Sequence, residues 1–301
     1  MPEANAPAAR AAVEAVAFIP GFSAIAERYD VVLCDVWGVV HNGLAAYPGA
    51  SDALTRFRCA GGTVILVSNA PRPGVTVMDQ LDRLAVPRTA YDDVVTSGDL
   101  TRMAVEARLS DPVFHIGPQR DRPIFDGLPV RFAQAEDAAY VVCSGLWDDR
   151  AETPDDYRPL FARLRERALP MICANPDIVV DVGGQLVYCA GALATLYEEM
   201  GGSATWMGKP HAPVYREALA RAARIRGADD LPVSRTIAIG DAIRTDIAGA
   251  RGIGADALFI AKGIHAEELR LDGTGLDPAV AGPWFDGQPH RPTAAMEVLA
   301  W

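Results

Sequence analysis

Residues 31–43 read VVLCDVWGVVHNG. Four apolar residues run straight into Asp35, without the alternation of a half-exposed strand. That pattern predicts a strand covered on both faces. A carboxylate ending such a strand is costly unless it is paired or bound to a metal. Working outward, the pattern repeats. A helix is expected around 49–60, then the strand TVILV (63–67), then a helix around 74–85. A helix covers about 98–109 and PVFHI (112–116) reads as a strand. Near the other end, RTIAIG (235–240) precedes a helix at about 243–251, and ADALFI (255–260) follows. Strands alternating with helices of this length indicate βαβ units. The expected fold is α/β, a doubly wound parallel sheet of Rossmann-like type.

Between these halves lies a different block. AYVVCSG (139–145), a helix near 155–168, PMICANPD (170–177), IVVDVGG (178–184), QLVYCAG (185–191) and a helix to about 200 form a second α/β unit. Gly183-Gly184-Gln185 reads as a tight turn between two strands. The expected organisation is an N-terminal arm (1–21), a core domain built from 22–125 and 206–301, and an inserted domain at 126–205. The segment 271–292, rich in Gly, Pro and Asp, reads as a surface loop, and the chain is expected to end in a short helix.

Composition narrows the function. The 301 residues carry a net charge of −11, which argues against a broad basic surface for nucleic acid. Of 28 basic residues only Lys209 and Lys262 are lysine, so each raises the question of whether its position needs a point charge. The five cysteines are widely spaced with no CxxC pair, which fits a reducing compartment. No apolar run approaches 18 residues, so no membrane span is expected. The first 18 residues lack a basic n-region and do not read as a signal peptide.

Polar clusters sit where predicted strands end, the place where open parallel sheets bind ligands. Asp35 closes the first strand and Ser68-Asn69 closes the second. Lys209 lies in Gly208-Lys209-Pro210. This is no P-loop, because Ser203 stands where the first glycine belongs and Pro210 where Ser or Thr belongs. Asp241 and Asp246 lie in GDAIRTDIAGA (240–250), a strand–Gly–Asp–helix junction suited to a hard cation. Taken singly, each cluster has a bland reading as a cap, turn or solvated face. Together they make coherent chemistry: a carboxylate nucleophile, a hydroxyl and an ammonium for phosphoryl oxygens, and carboxylates for a divalent cation.

This set resembles the haloacid dehalogenase superfamily, class IIA, the NagD-like phosphatases. DVWGVVHNG (35–43), ILVSNAPRP (65–73), GKPHAPVY (208–215) and IGDAIRTDIAGA (239–250) are similar to its four motifs. CANPD (173–177) and YCAGAL (188–193) are similar to class IIA cap segments. The resemblance implies a mobile cap over the core, Mg²⁺, and an aspartyl-phosphate intermediate. By position it makes Asp35 the nucleophile and assigns phosphate binding to Ser68, Asn69 and Lys209. It assigns the metal to Asp35, the backbone carbonyl of Trp37, and Asp241. Asp246 would orient Lys209 or a metal-bound water. Related caps form dimers, so a homodimer is one implied assembly.

One position departs from the family. Its phosphatases carry Asp-x-Asp in the first motif, and the second Asp protonates the leaving group. Here that position is Trp37, and the help lost is typically worth ~10²–10⁴-fold. Another group then serves, with His41, Asn42 and Asp177 as candidates, or the substrate has a good leaving group. The alternatives are a non-phosphatase hydrolytic chemistry, or a weakly active protein that binds phosphometabolites. Arg72, Asn175, Asp177 and Tyr188 are candidate substrate contacts. His115 reads as structural, His211 as a helix-start residue, and Lys262 as ordinary. The expected protein is a cytoplasmic, Mg²⁺-dependent hydrolase acting on a small phosphorylated metabolite.

Overall fold

A computed structural model describes residues 15–182, 185–271 and 275–301. In chain order the elements are β1 (Ala17–Phe18), β2 (Val31–Asp35), α1 (Pro48–Cys59), β3 (Thr63–Ser68), α2 (Gly74–Arg83), β4 (Asp93–Thr96) and α3 (Ser97–Glu106). Then come β5 (Val113–Ile116), β6 (Tyr140–Cys143), α4 (Arg158–Glu166), β7 (Pro170–Cys173), β8 (Val179–Val182), β9 (Gln185–Tyr188), α5 (Ala190–Glu199) and β10 (Ser203–Trp206). The chain finishes with α6 (Ala212–Arg226), β11 (Thr236–Gly240), α7 (Ala248–Ile253), β12 (Asp256–Ile260), α8 (Pro278–Asp286) and β13 (Ala294–Met296).

The core is a seven-stranded sheet ordered β1-β13-β12-β11-β2-β3-β4, with every neighbouring pair parallel. Successive strand side chains point to opposite faces. Val32 and Cys34 of β2 therefore pack with Leu54 and Phe57 of α1 and Leu81 of α2. Val31 and Leu33 pack with Val214 and Ala218 of α6 and Ala250 of α7. Both faces are apolar because helices cover both, which accounts for the unbroken run before Asp35. From β2 the chain builds β3 and β4 to one side and returns through β11 on the other. The C-terminal ends of β2 and β11 thus flank the point where the strand order reverses, the place where such sheets form a crevice.

A second, wholly parallel sheet has the order β10-β7-β6-β5. Helices α4 and α5 cover one face through Phe161, Leu164, Leu193 and Tyr197. The other face meets Val105 of α3 and the 3₁₀ segment Gln119–Phe125. Strands β8 and β9 form a separate antiparallel pair. The turn expected at Gly183-Gly184 lies outside the described residues.

Several expectations are corrected. PVFHI, assigned by sequence to the core, pairs with β6, so the second sheet begins at Val113 and not near Asp126. Its last strand runs to Trp206. Ala17–Phe18, read as part of an arm, pairs with β13 as a core edge strand. The 271–292 segment holds helix α8, started by Asp277, whose side chain accepts from the Ala279 amide, and fixed by buried Ala281 and Phe285. The last element is β13 and not a helix. Strands β4, β10 and β13 are short and show no distinct apolar run of their own, and they exist through pairing with neighbours distant in sequence. Among the described residues no helix is long and apolar enough to cross a membrane. All five cysteines are free thiols, four of them buried.

Candidate active site

The polar centre sits at the reversal point of the core sheet. β2 brings Asp35 to its C-terminal edge, and Asp241 follows Gly240 at the end of β11. The loop between β10 and α6 delivers Lys209, whose Nζ lies 2.5 Å from Asp35 Oδ1 and 2.7 Å from Asp246 Oδ1. The helix read from sequence at 243–251 opens as a π-turn, Ile243–Ile247, before α7. Such turns recur at functional sites. Here the turn folds Asp246 back so that its Oδ2 accepts from the Ala242 amide at 3.2 Å, leaving Oδ1 for Lys209. The Tyr215 hydroxyl donates to the Thr245 carbonyl at 3.2 Å, tying α6 to that turn. Sequence reasoning missed Tyr215; the available signal was a tyrosine on an apolar helix face, whose hydroxyl needs a partner. Asp241 Oδ2 accepts from the Ile264 amide at 3.1 Å.

Asp35, Lys209, Asp241 and Asp246 are all buried. Burial raises Asp35 well above the usual carboxylate range; Lys209 opposes this, and Asp246 and Asp241 add to it. Burial, then Asp246, pushes Asp241 up to about 7. Burial alone would lower Lys209, but Asp246 and Asp35 outweigh it and keep the ammonium charged. One oxygen from each of Asp35, Asp241 and Asp246 lies within 4.8 Å of the others. Three carboxyl groups share one ammonium, so ionising all three leaves negative charge in excess. An oxygen-only donor set with that imbalance fits a hard divalent cation.

Beside this centre, β3 ends at Ser68, whose Oγ accepts from the Ala70 amide at 3.1 Å. Asn69 is fixed from both ends. Its Oδ1 accepts from the Lys209 amide at 2.8 Å, and its Nδ2 donates to the Lys209 carbonyl at 3.3 Å and to Asp177 Oδ1 at 2.8 Å. Asp177 follows β7 of the second sheet, so Asn69 joins the two layers. The approach is close at Gly208, with φ +132°, where a Cβ would fall 2.0 Å from Ser97 Oγ and 2.5 Å from Asn69 Oδ1. Ser97 was not singled out from sequence; it donates to Asn69 Oδ1 at 3.4 Å.

Trp37 is half-buried and held from two sides. His41 packs edge-on against the indole, with ring centroids 5.2 Å apart. Gly43, at φ +85°, comes so near that a Cβ would lie 2.4 Å from the ring. His41 is buried, which pushes it down to about 4, and its Nδ1 accepts from the Gly43 amide at 2.9 Å. The ring is therefore neutral near pH 7, with its proton on Nε2.

The remaining candidates spread outward. Asn42 is exposed and closes a turn, its Oδ1 accepting from the amides of Leu44 and Ala45. Arg72 reaches toward the 3₁₀ segment, its Nε 4.0 Å from Asp121 Oδ1. Asn175 Oδ1 accepts from the Asp177 amide at 3.0 Å. Tyr188 lies exposed on β9, opposite Val179. His115 Nε2 is 2.9 Å from Ser144 Oγ, and His211 stacks on Trp206. Lys262 is exposed at the end of β12.

Fold and site together define a doubly wound α/β enzyme core with a buried carboxylate–lysine centre and an added α/β layer above it. A family model described as haloacid dehalogenase-like hydrolase matches residues 32–130, and one described as HAD-hydrolase-like matches 206–280. The crystal structure of a haloacid dehalogenase-like hydrolase from Brucella suis 1330 is similar at 46% identity. The match covers 94% of this chain and 100% of that one, with a TM-score of 0.82. The 5′-nucleotidase YutF of Bacillus subtilis is 26% identical over 82% of this chain and 92% of its own length. The glycerol phosphate phosphatase of Mycobacterium tuberculosis, solved in complex with magnesium, shares the fold. It is 23% identical over 91% of this chain and 77% of that one, with a TM-score of 0.67. The chain belongs to the haloacid dehalogenase-like hydrolase family.

Proposed function

We propose that this protein is a cytoplasmic, Mg²⁺-dependent phosphatase acting on a small phosphorylated metabolite through an aspartyl-phosphate on Asp35. The observation that carries this reading is the buried Lys209 ammonium bridging Asp35 and Asp246 at the mouth of the core sheet. Asp35 and Asp241, with the Trp37 carbonyl, would hold Mg²⁺. When bound, the ion supplies positive charge that offsets the phosphate and the charge developing on it. An Asp35 carboxylate oxygen attacks phosphorus while Lys209, the Ser68 hydroxyl and the Asn69 backbone amide hold the phosphoryl oxygens. Asp246 keeps Lys209 aimed at Asp35. The 113–206 layer acts as the cap over the phosphate site, and a homodimer is the assembly proposed.

The names of the relatives, a 5′-nucleotidase and a glycerol phosphate phosphatase, favour this over the dehalogenase-like and binding-only readings that Trp37 raises. Phosphate release from a panel of phosphomonoesters, with Mg²⁺ or with EDTA, tests it. Turnover should require Mg²⁺ and should fall to background in Asp35→Asn. Equal rates for wild type and Asp35→Asn on every substrate would overturn the proposal.

A further inference from the structure

Hydrolysis of an unactivated phosphate ester releases an alkoxide that needs a proton as the P–O bond breaks. Trp37 offers no group suited to that transfer. Asp35, Asp241 and Asp246 are committed to Lys209, to backbone amides and to the cation-fitting cluster. His41 already accepts at Nδ1 and packs against the indole, and His211 lies stacked on Trp206.

Asp177 is placed differently. It lies in the loop after β7 of the second sheet, while Asp35 ends β2 of the core sheet. Its Oδ1 accepts from Asn69 Nδ2 at 2.8 Å, and Asn69 is itself locked to the Lys209 backbone. Its amide donates to Asn175 Oδ1, and its carbonyl accepts from the Gly191 amide at the start of α5. Among the described residues no donor reaches its Oδ2. Burial, only partly opposed by Lys209 and the Asn69 hydrogen bond, keeps this carboxyl above its usual range. A carboxylic acid kept neutral by its surroundings can donate a proton.

We propose that Asp177 is the general acid–base catalyst that serves in place of the side chain missing at position 37. This rests on the phosphatase reading above. As an Asp35 oxygen forms its bond to phosphorus and the ester P–O bond breaks, the proton on Asp177 passes to the leaving oxygen, giving the alcohol and an Asp177 carboxylate. That carboxylate then takes a proton from water as the water oxygen bonds to phosphorus and the Asp35–phosphate bond breaks. The products are alcohol and phosphate, with Asp35 and Asp177 returned to their starting forms.

The test compares wild type with Asp177→Asn, which keeps the acceptor for Asn69 and removes the acid. The substrates are 4-nitrophenyl phosphate, phenyl phosphate and glycerol 3-phosphate, in order of worsening leaving group. Formation of the phosphoenzyme is followed in single turnovers. The variant should lose about 10²–10⁴-fold on glycerol 3-phosphate, with the loss shrinking steadily toward 4-nitrophenyl phosphate. An equal loss on all three, or no loss on glycerol 3-phosphate, would overturn the assignment while leaving the phosphatase reading intact. If wild type releases phosphate neither from these three nor from any member of the phosphomonoester panel, the phosphatase reading fails and Asp177 loses its role with it.

Discussion

Lys209 Nζ lies 2.5 Å from Asp35 Oδ1, and both side chains are buried. Neither charge is stable there alone. Removing one partner of a buried pair leaves the other uncompensated, at a typical cost of about 3–5 kcal/mol. Lys209→Met should therefore lower unfolding free energy by about that amount in EDTA. Mg²⁺ should recover part of it, because a cation relieves the same repulsion. Urea denaturation with and without Mg²⁺ reads both effects. Lys209→Arg should not restore activity, since a planar fork cannot reproduce one point charge between two carboxylates.

The three-carboxylate cluster predicts metal-linked stability. At a Mg²⁺ concentration of about 100 Kd, a single site adds roughly 2.7 kcal/mol. Thermal unfolding should shift upward with Mg²⁺ in wild type, and the shift should shrink strongly in Asp241→Asn. An equal shift in both proteins would place the cation elsewhere.

Trp37 and Asp177 should be functionally exchangeable. If Asp177 moves the proton, Trp37→Asp should restore at least about tenfold of the glycerol 3-phosphate hydrolysis lost in Asp177→Asn. In the wild-type background the same change should add little. A large gain there would mean that proton transfer is deficient in the natural protein.

His41 links pH to stability. Its pKa is about 4 in the folded protein against 6.5 for the free side chain. As pH falls below 6.5 the unfolded chain takes up the proton first, so stability is complete above 6.5 and declines toward pH 4. The full span corresponds to about 3 kcal/mol. His115, also held to about 4 by burial, acts in the same direction. Denaturation at pH 7 and pH 5 should show the loss, and His41→Gln should reduce it without abolishing it.

Much of the core was legible before folding. Strands β2, β3, β11 and β12 announce themselves as apolar runs, because helices cover both of their faces. Asp35, Ser68-Asn69 and Asp241 stand at the ends of those runs, so their meeting at one edge follows from a parallel sheet. The scarcity of lysine drew attention to Lys209. The strands β1, β4, β10 and β13 were not legible, since they are short and, unlike the equally short β5 to β7, carry no distinct apolar run. PVFHI was recognisable as a strand but not as part of the second sheet, because its apolar pattern does not name its partner.

The site divides along the same line. Sequence alone determined which chemical groups are available, and set beside the family it resembles it shows a tryptophan where those phosphatases carry a carboxylate. Tertiary structure alone decided that His41 is neutral and packed against that tryptophan, and that the π-turn aims Asp246 at Lys209. It also decided that Asp177, beyond β7 of the second sheet, bonds to Asn69, just beyond β3 of the first. Composition and local periodicity follow from each residue's own chemistry. Protonation, pairing and reach depend on burial and on neighbours far away in sequence, 174 positions for Asp35 and Lys209.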